Sequence, residues 1–181
     1  MQSRLQRIWI RILLTVLTAA MMTLIFFFST EPAERSDATS GRVSMTVISV
    51  VHPDFETYSP AQKQSLFAGV QHIVRKTAHF TEYTILGMLL RLCIESWIGK
   101  RKTLIPLSWA AGTLYACTDE LHQLIIDGRS GQWSDVLLDS SGVLTGVLLI
   151  SLVLLIIRRK ERGKDGDKYR AGESGNPPEH R

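Results

Sequence analysis

Three pairs of ionisable side chains recur at the spacing of one helical turn: His79 and Glu82, Asp119 and His122, and Asp135 and Asp139. Residues three or four positions apart lie on the same face of a helix, so each pair presents two groups to the same neighbour. Imidazoles and carboxylates arranged in this way could bind a divalent metal. They could also supply a general acid and a general base.

The candidate site residues fall into three overlapping groups. The candidates for acid–base catalysis are His79, Glu82, Asp119, Glu120, His122, Asp135 and Asp139. The candidates for metal ligands are His79, Glu82, Asp119, His122 and Asp139. The candidates for substrate binding are Lys76, Tyr83, Gln123 and Arg129. The two cations in this last group could hold an anionic head group such as a phosphate.

A self-contained polar network is the alternative interpretation of the same residues. In that network Lys76, His79, Arg129 and the acids pair with one another and only hold the helices together. Hydrophobic packing would hold a bundle at lower cost than buried charges do, which favours a functional site.

Four long apolar blocks are the elements that must position these residues. They cover about residues 8–28, 77–98, 104–126 and 136–157 of the 181-residue chain. Each block holds about 20 residues, enough to cross about 30 Å of hydrocarbon at about 1.5 Å per residue. This segregation excludes an ordinary soluble globule and a disulfide-rich secreted domain. It predicts an all-α membrane protein in which residues 1–160 form a bundle of four transmembrane helices.

Basic residues predict the orientation, because short cytoplasmic segments are enriched in Lys and Arg. Such residues occupy the N-terminus, the turn at 100–102 and the tail after Ile157, whereas residues 29–76 and 127–134 have little net charge. Both termini are therefore predicted to be cytoplasmic in a multi-pass protein of the cell membrane. The net charge of +4 reflects this topology. No basic stretch is interleaved with aromatics as in a nucleic-acid binder, so the lipid bilayer is a predicted partner and nucleic acid is not.

The segments outside the blocks show weaker patterns. Residues 29–41 are turn-rich, and Val43–Val51 is a β-branched run predicted to lie on the membrane surface or to pack on the bundle. From Pro60 an apolar repeat predicts a helix that lies at the outer interface or runs into the second block. The tail at 161–181 is rich in Gly, Pro and charge, which predicts disorder.

The acids of three blocks are predicted to lie at one depth. At about 1.5 Å per residue, Glu82, Asp119 and Asp139 lie about 6–8 Å inside the outer edge of the hydrocarbon. On the fourth block Gly142 and Gly146 share the face of Asp139 and allow another helix to approach closely. The acids therefore belong to faces that are expected to be buried between helices.

Three stretches resemble the signatures of the VanZ-like family. Residues 75–87, RKTAHFTEYTILG, resemble its R-K-x-x-H-F-x-E-Y-x-x-L-G signature. Residues 115–123, YACTDELHQ, resemble Y-A-x-x-D-E-x-H-Q. Residues 127–142, DGRSGQWSDVLLDSSG, resemble P-x-R-x-x-x-x-D-V-x-x-D-x-x-G, with Asp127 where the family often has proline.

The resemblance implies a small bacterial membrane protein of about four helices. The founding relatives are linked to reduced susceptibility to glycopeptide antibiotics, teicoplanin in particular, but the resemblance names no reaction. Two functions remain open. One is an enzyme or lipid-modifying factor at the outer leaflet, whose predicted partner is a cell-envelope precursor or lipid-linked substrate, and the other is a non-catalytic binding or interaction protein. A transporter is disfavoured because the inner half of the blocks carries only Arg91 and Glu95, so no polar relay crosses the bilayer.

Overall fold

Five helices make up the described part of the chain, which comprises residues 2–30, 33–99, 102–126 and 132–173 of a computed structural model. They are α1 (Gln2–Ser29), α2 (Ala33–Val51), α3 (Pro60–Ile98), α4 (Leu104–Gln123) and α5 (Trp133–Glu173). A 3₁₀ turn at Phe55–Thr57 separates α2 from α3. The predicted all-α fold class is confirmed.

Helix α3 is the central element, and it contacts each of the other four helices. Its start is set by a capping box in which the side chains of Ser59 and Gln62 each satisfy the other residue's backbone N–H, with Pro60 following the cap. Its end is set by Gly99, whose φ of 75° suits glycine. The helix runs without a break from Pro60 into the second apolar block, so the prediction that this segment continues into that block is confirmed. At about 1.5 Å per residue it is nearly twice as long as a bilayer core is thick.

Helix α2 packs along the N-terminal part of α3. Ser40, Gly41, Ser44 and Ile48 are buried against it, and the Gln71 amide donates a hydrogen bond to Ser40 Oγ at 3.1 Å. The prediction of a turn-rich stretch at 29–41 is therefore wrong from Ala33 onwards. Ser, Thr and Gly disfavour helices individually, but their small side chains allow α2 to approach α3 closely.

Helices α3 and α5 meet at their glycines. A Cβ added to Gly87 would collide with the Val143 backbone, and one added to Gly146 would collide with the Thr84 carbonyl. A Cβ on Gly142 would lie 2.7 Å from the Phe80 carbonyl oxygen. The predicted close approach at the Gly142 and Gly146 face is confirmed, and α3 is the partner helix.

The apolar core lies beside these glycines. It consists of the buried side chains Ile25, Tyr83, Leu86, Ala116, Val143 and Val147, which come from α1, α3, α4 and α5. Met21, Met22, Leu90 and Tyr115 pack around it.

Within the described residues, two helical segments are long and apolar enough to cross a membrane, Arg4–Ser29 and Trp133–Gly163. Both expose large apolar side chains, including Leu13 and Phe27 on α1 and Leu148 and Ile156 on α5. Exposed apolar surface of this extent is typical of contact with lipid. The block at 77–98 is part of α3, the block at 104–126 contains α4, and neither helix is among these two segments.

The helix ends differ from the predicted blocks. Helix α4 ends at Gln123, before residue 126, and α5 continues to Glu173, into the tail where disorder is predicted. Residues 158–173 are rich in Lys, Arg and Glu, which favour helix and extend one that is already formed. Residues 174–181 lie outside the described part.

Charged side chains connect α3 to α5 by ion pairs and hydrogen bonds at one end of the bundle. Arg91 is 6% exposed and donates to Glu95 at 2.6 Å and to Ser151 Oγ at 3.1 Å. Glu95 also pairs with Arg158. We call this the basic end of the bundle. At the same end, Arg11 of α1 donates to the Ser96 carbonyl of α3 at 2.8 Å.

Candidate functional site

Two buried carboxylates form the centre of the candidate site, at the end of the bundle opposite the basic end. Asp119 of α4 is 3% exposed and Asp139 of α5 is 1% exposed. Asp119 Oδ2 accepts a hydrogen bond from the Tyr83 hydroxyl at 3.2 Å and a second from the Gln123 amide at 3.4 Å. Tyr83 lies on α3, so three helices converge here. We call this region the acidic end.

Each of these carboxylates keeps one oxygen without a hydrogen bond from the described residues. These atoms are Asp119 Oδ1 and Asp139 Oδ1. His79 Nδ1 lies 4.0 Å from Asp139 Oδ1, within ion-pair range but beyond a hydrogen bond. A buried polar atom without a partner costs about 1–3 kcal/mol. The two oxygens are therefore able to accept a proton or a hydrogen bond from a ligand.

Charge at the acidic end is strongly unbalanced among the described residues. Asp119, Glu120 and Asp135 all lie within electrostatic range of Asp139, and Lys76 opposes them. Lys76 is itself engaged in an ion pair with Asp135. The structure therefore places the predicted substrate-binding lysine against an acid, and the site as a whole favours a proton or a cationic group.

The remaining predicted residues occupy different positions around this centre. Glu82 is half-buried on α3, within electrostatic range of Asp119. Glu120 is 7% exposed, and its Oε1 accepts a hydrogen bond from the Gln132 backbone at 2.5 Å, which ties α4 to the start of α5. Arg129 lies outside the described residues.

His122 is directed away from the two central acids. Its ring packs on Phe26 of α1, with the ring centroids 4.7 Å apart and tilted by 30°. Its Nε2 is buried and has no hydrogen-bond partner in the described part of the chain. Asp119 and His122 therefore share a face of α4 but contact different helices, Asp119 contacting α3 and His122 contacting α1.

The predicted metal ligands do not assemble into a ligand set. Among residues 2–30, 33–99, 102–126 and 132–173, no group of three or more His, Cys, Asp or Glu side chains is placed so that it could hold a metal ion.

Two features of this end were not found from the sequence. Ser140 accepts a hydrogen bond from Trp109 Nε1 at 3.0 Å and contacts the Thr113 hydroxyl at 2.8 Å. A cavity of about 180 Å³ lies between α4 and α5 beside Glu120. The sequence signal for the cavity was the spacing of Cys117 and Leu121, four residues apart, which places them on one face of α4.

The fold and the site define a small helical membrane protein with a buried acidic centre at one end of its bundle. The VanZ/LLP1 family model matches residues 14–155, and the chain therefore belongs to this family. The resemblance carried by the three sequence stretches is confirmed. Comparison with curated proteins and with solved structures found no match.

Proposed function

We propose that this protein binds the polar part of a lipid-linked or other cell-envelope molecule at the outer face of the cell membrane. The observation that carries the proposal is the pair of buried oxygens, Asp119 Oδ1 and Asp139 Oδ1, which have no hydrogen-bond partner in the described residues. Tyr83 of α3 and Gln123 of α4 hold the Asp119 carboxylate in place by hydrogen bonds to its Oδ2 atom. A site that is already ordered and incompletely satisfied is suited to a ligand that completes it.

The membrane arrangement is part of this proposal. Four segments cross the bilayer in chain order. They are α1, residues 77–98 of α3, residues 104–126, which contain α4, and α5. Residues 1–160 form the membrane domain, with both termini in the cytoplasm and the acidic end outside. The Lys and Arg residues at the basic end support this orientation.

Asp139 and His79 are the pair best placed for acid–base work. Their 4.0 Å separation leaves room for adjustment when a ligand enters, since catalytic hydrogen bonds often tighten only in the complex. Tyr83 and Gln123 orient Asp119 by donating to one of its oxygens. Arg129, whose position is not described, remains a candidate for an anionic group of the same ligand.

A non-catalytic interaction protein with a structural polar cluster is the second candidate. The ion pair between Lys76 and Asp135 favours it, because this contact links α3 to α5 without involving a ligand. Under either proposal, altered access of teicoplanin or another glycopeptide to envelope precursors is a proposed consequence and not a defining activity.

The test is a comparison of the molecules retained by the purified protein. Wild type, Asp119→Asn and Asp139→Asn are extracted in detergent, and the bound lipids are identified by mass spectrometry. Asp54→Asn, in an exposed turn, is the matched control. We expect an envelope lipid to be retained by wild type and the control and lost from both site variants at unchanged melting temperature. Equal retention by all four proteins would reject the site.

A further inference from the structure

The cavity beside Glu120 is a second feature of the acidic end, distinct from the paired aspartates. It is lined by Cys117 and Leu121 of α4, by Leu124 and Gln132 of the connection, and by Trp133 and Val136 of α5, with Glu120 at its polar side. Its volume of about 180 Å³ far exceeds the roughly 10–15 Å³ that one buried water needs. The lining is almost wholly apolar, which suits a hydrocarbon chain.

The cavity opens on the surface of the bundle. Leu121 is 64% exposed, Leu124 is 58% exposed and Trp133 is 84% exposed. Trp133 is also the first residue of the apolar span Trp133–Gly163. The opening therefore lies where that span begins, at the level where lipid chains meet their head groups, and bilayer lipid is the molecule that meets it.

Charge selects among lipids at this position. The Glu120 carboxylate is 7% exposed and lies within electrostatic range of Asp119 and Asp135, whereas Lys76 is the opposing cation among the described residues and the Gln132 backbone N–H donates to Glu120 Oε1. A carboxylate in such surroundings attracts a positive group and repels a negative one. A primary ammonium meets this requirement and donates hydrogen bonds as well.

We propose that the cavity binds an aminolipid, with one hydrocarbon chain against the α4 and α5 walls and the primary ammonium at Glu120. The assignment deepens the proposed function and rests on it, because it names the class of amphiphile held beside Asp119 and Asp139. The ammonium supplies the positive charge that the unbalanced carboxylates lack. The chain covers apolar walls that are otherwise exposed.

Cys117 provides a reporter inside the cavity, and the full-length protein with Cys93→Ser has it as the single thiol. Its alkylation rate by N-ethylmaleimide is measured in detergent with dodecylamine, dodecanol or dodecanoate, which share one chain and differ in head group. We expect dodecylamine to protect Cys117 at about tenfold lower concentration than dodecanol, as a charge-assisted hydrogen bond implies. In the Glu120→Gln variant, we expect dodecylamine and dodecanol to protect Cys117 at similar concentrations, because the hydrocarbon chains still bind.

A cavity-filling substitution tests the location. Dodecylamine should raise the melting temperature of wild type, and Leu121→Trp should abolish this shift. Leu114→Trp is the matched control, since Leu114 is 67% exposed and lies two turns away on the same face of α4. If Leu121→Trp does not fold, the Glu120→Gln comparison still decides the question.

Equal protection by the three head groups would overturn the ammonium assignment, and no protection by any of them would overturn the cavity site. Failure of the proposed function is distinguishable from failure of the cavity site. If the Asp139→Asn protein still retains its envelope lipid, the aspartate site is rejected, and the result at Cys117 is unchanged.

Discussion

The Tyr83 hydroxyl of α3 donates a hydrogen bond to Asp119 Oδ2 of α4 at 3.2 Å, and both side chains are almost fully buried. This contact joins the central helix to the centre of the candidate site. It satisfies Oδ2 of the carboxylate, whereas Oδ1 has no hydrogen-bond partner among the described residues. Four predictions test the contacts that hold the bundle together and its arrangement in the membrane.

Tyr83→Phe is expected to destabilise the protein by about 1–3 kcal/mol, because it removes a donor from a buried carboxylate. Thermal unfolding in detergent measures the effect. Tyr58→Phe is the matched control, since the Tyr58 hydroxyl lies 3.4 Å from His52 Nδ1 in a partly exposed turn. Equal melting temperatures for the two variants would show that the Tyr83 hydrogen bond contributes nothing.

Gly146→Ala is expected to destabilise the bundle by about 1–3 kcal/mol, because the added methyl group forces α3 and α5 apart. Gly69→Ala should be neutral or stabilising by up to about 1 kcal/mol, since a Cβ at Gly69 meets nothing within 4 Å and alanine favours helix. Chemical denaturation of both variants measures the difference. A stable Gly146→Ala protein would contradict the close approach of the two helices.

Glu95→Gln is expected to cost about 3–5 kcal/mol, because it leaves the buried Arg91 guanidinium without its counter-charge. Glu56 also forms an ion pair, with Lys63, but its side chain is 85% exposed. Glu56→Gln should therefore change stability by about 0–1 kcal/mol. The unfolding free energies of the two variants are compared. Similar losses would show that the ion pair between Arg91 and Glu95 does not stabilise the basic end.

Four membrane crossings place residue 102 in the cytoplasm, whereas crossings by α1 and α5 alone would place it outside. A Lys102→Cys substitution in a Cys93→Ser, Cys117→Ser background distinguishes the two arrangements. We expect a membrane-impermeant maleimide added to intact cells to leave this thiol unlabelled. Asp54→Cys should be labelled and Arg162→Cys should not, so these variants calibrate accessibility on the two sides. Labelling of Lys102→Cys from outside would support two crossings.

Much of the helical pattern was predictable from the sequence, because apolar periodicity, caps and small-residue spacing are local properties. The helix beginning at Pro60 and the close-packed face of Gly142 and Gly146 are examples. Helix α2 was not predictable, since its Ser, Thr and Gly residues become helical only when α3 is available for packing.

The types and spacings of the site residues were likewise a property of the sequence alone, as was the family to which the chain belongs. Which groups meet was decided only by the tertiary structure. Asp119 could face several neighbours, and helix packing brought it to Tyr83 while it directed His122 towards Phe26. The cavity beside Glu120 has the same origin, because a space between α4 and α5 depends on how two surfaces fit together and not on either surface alone.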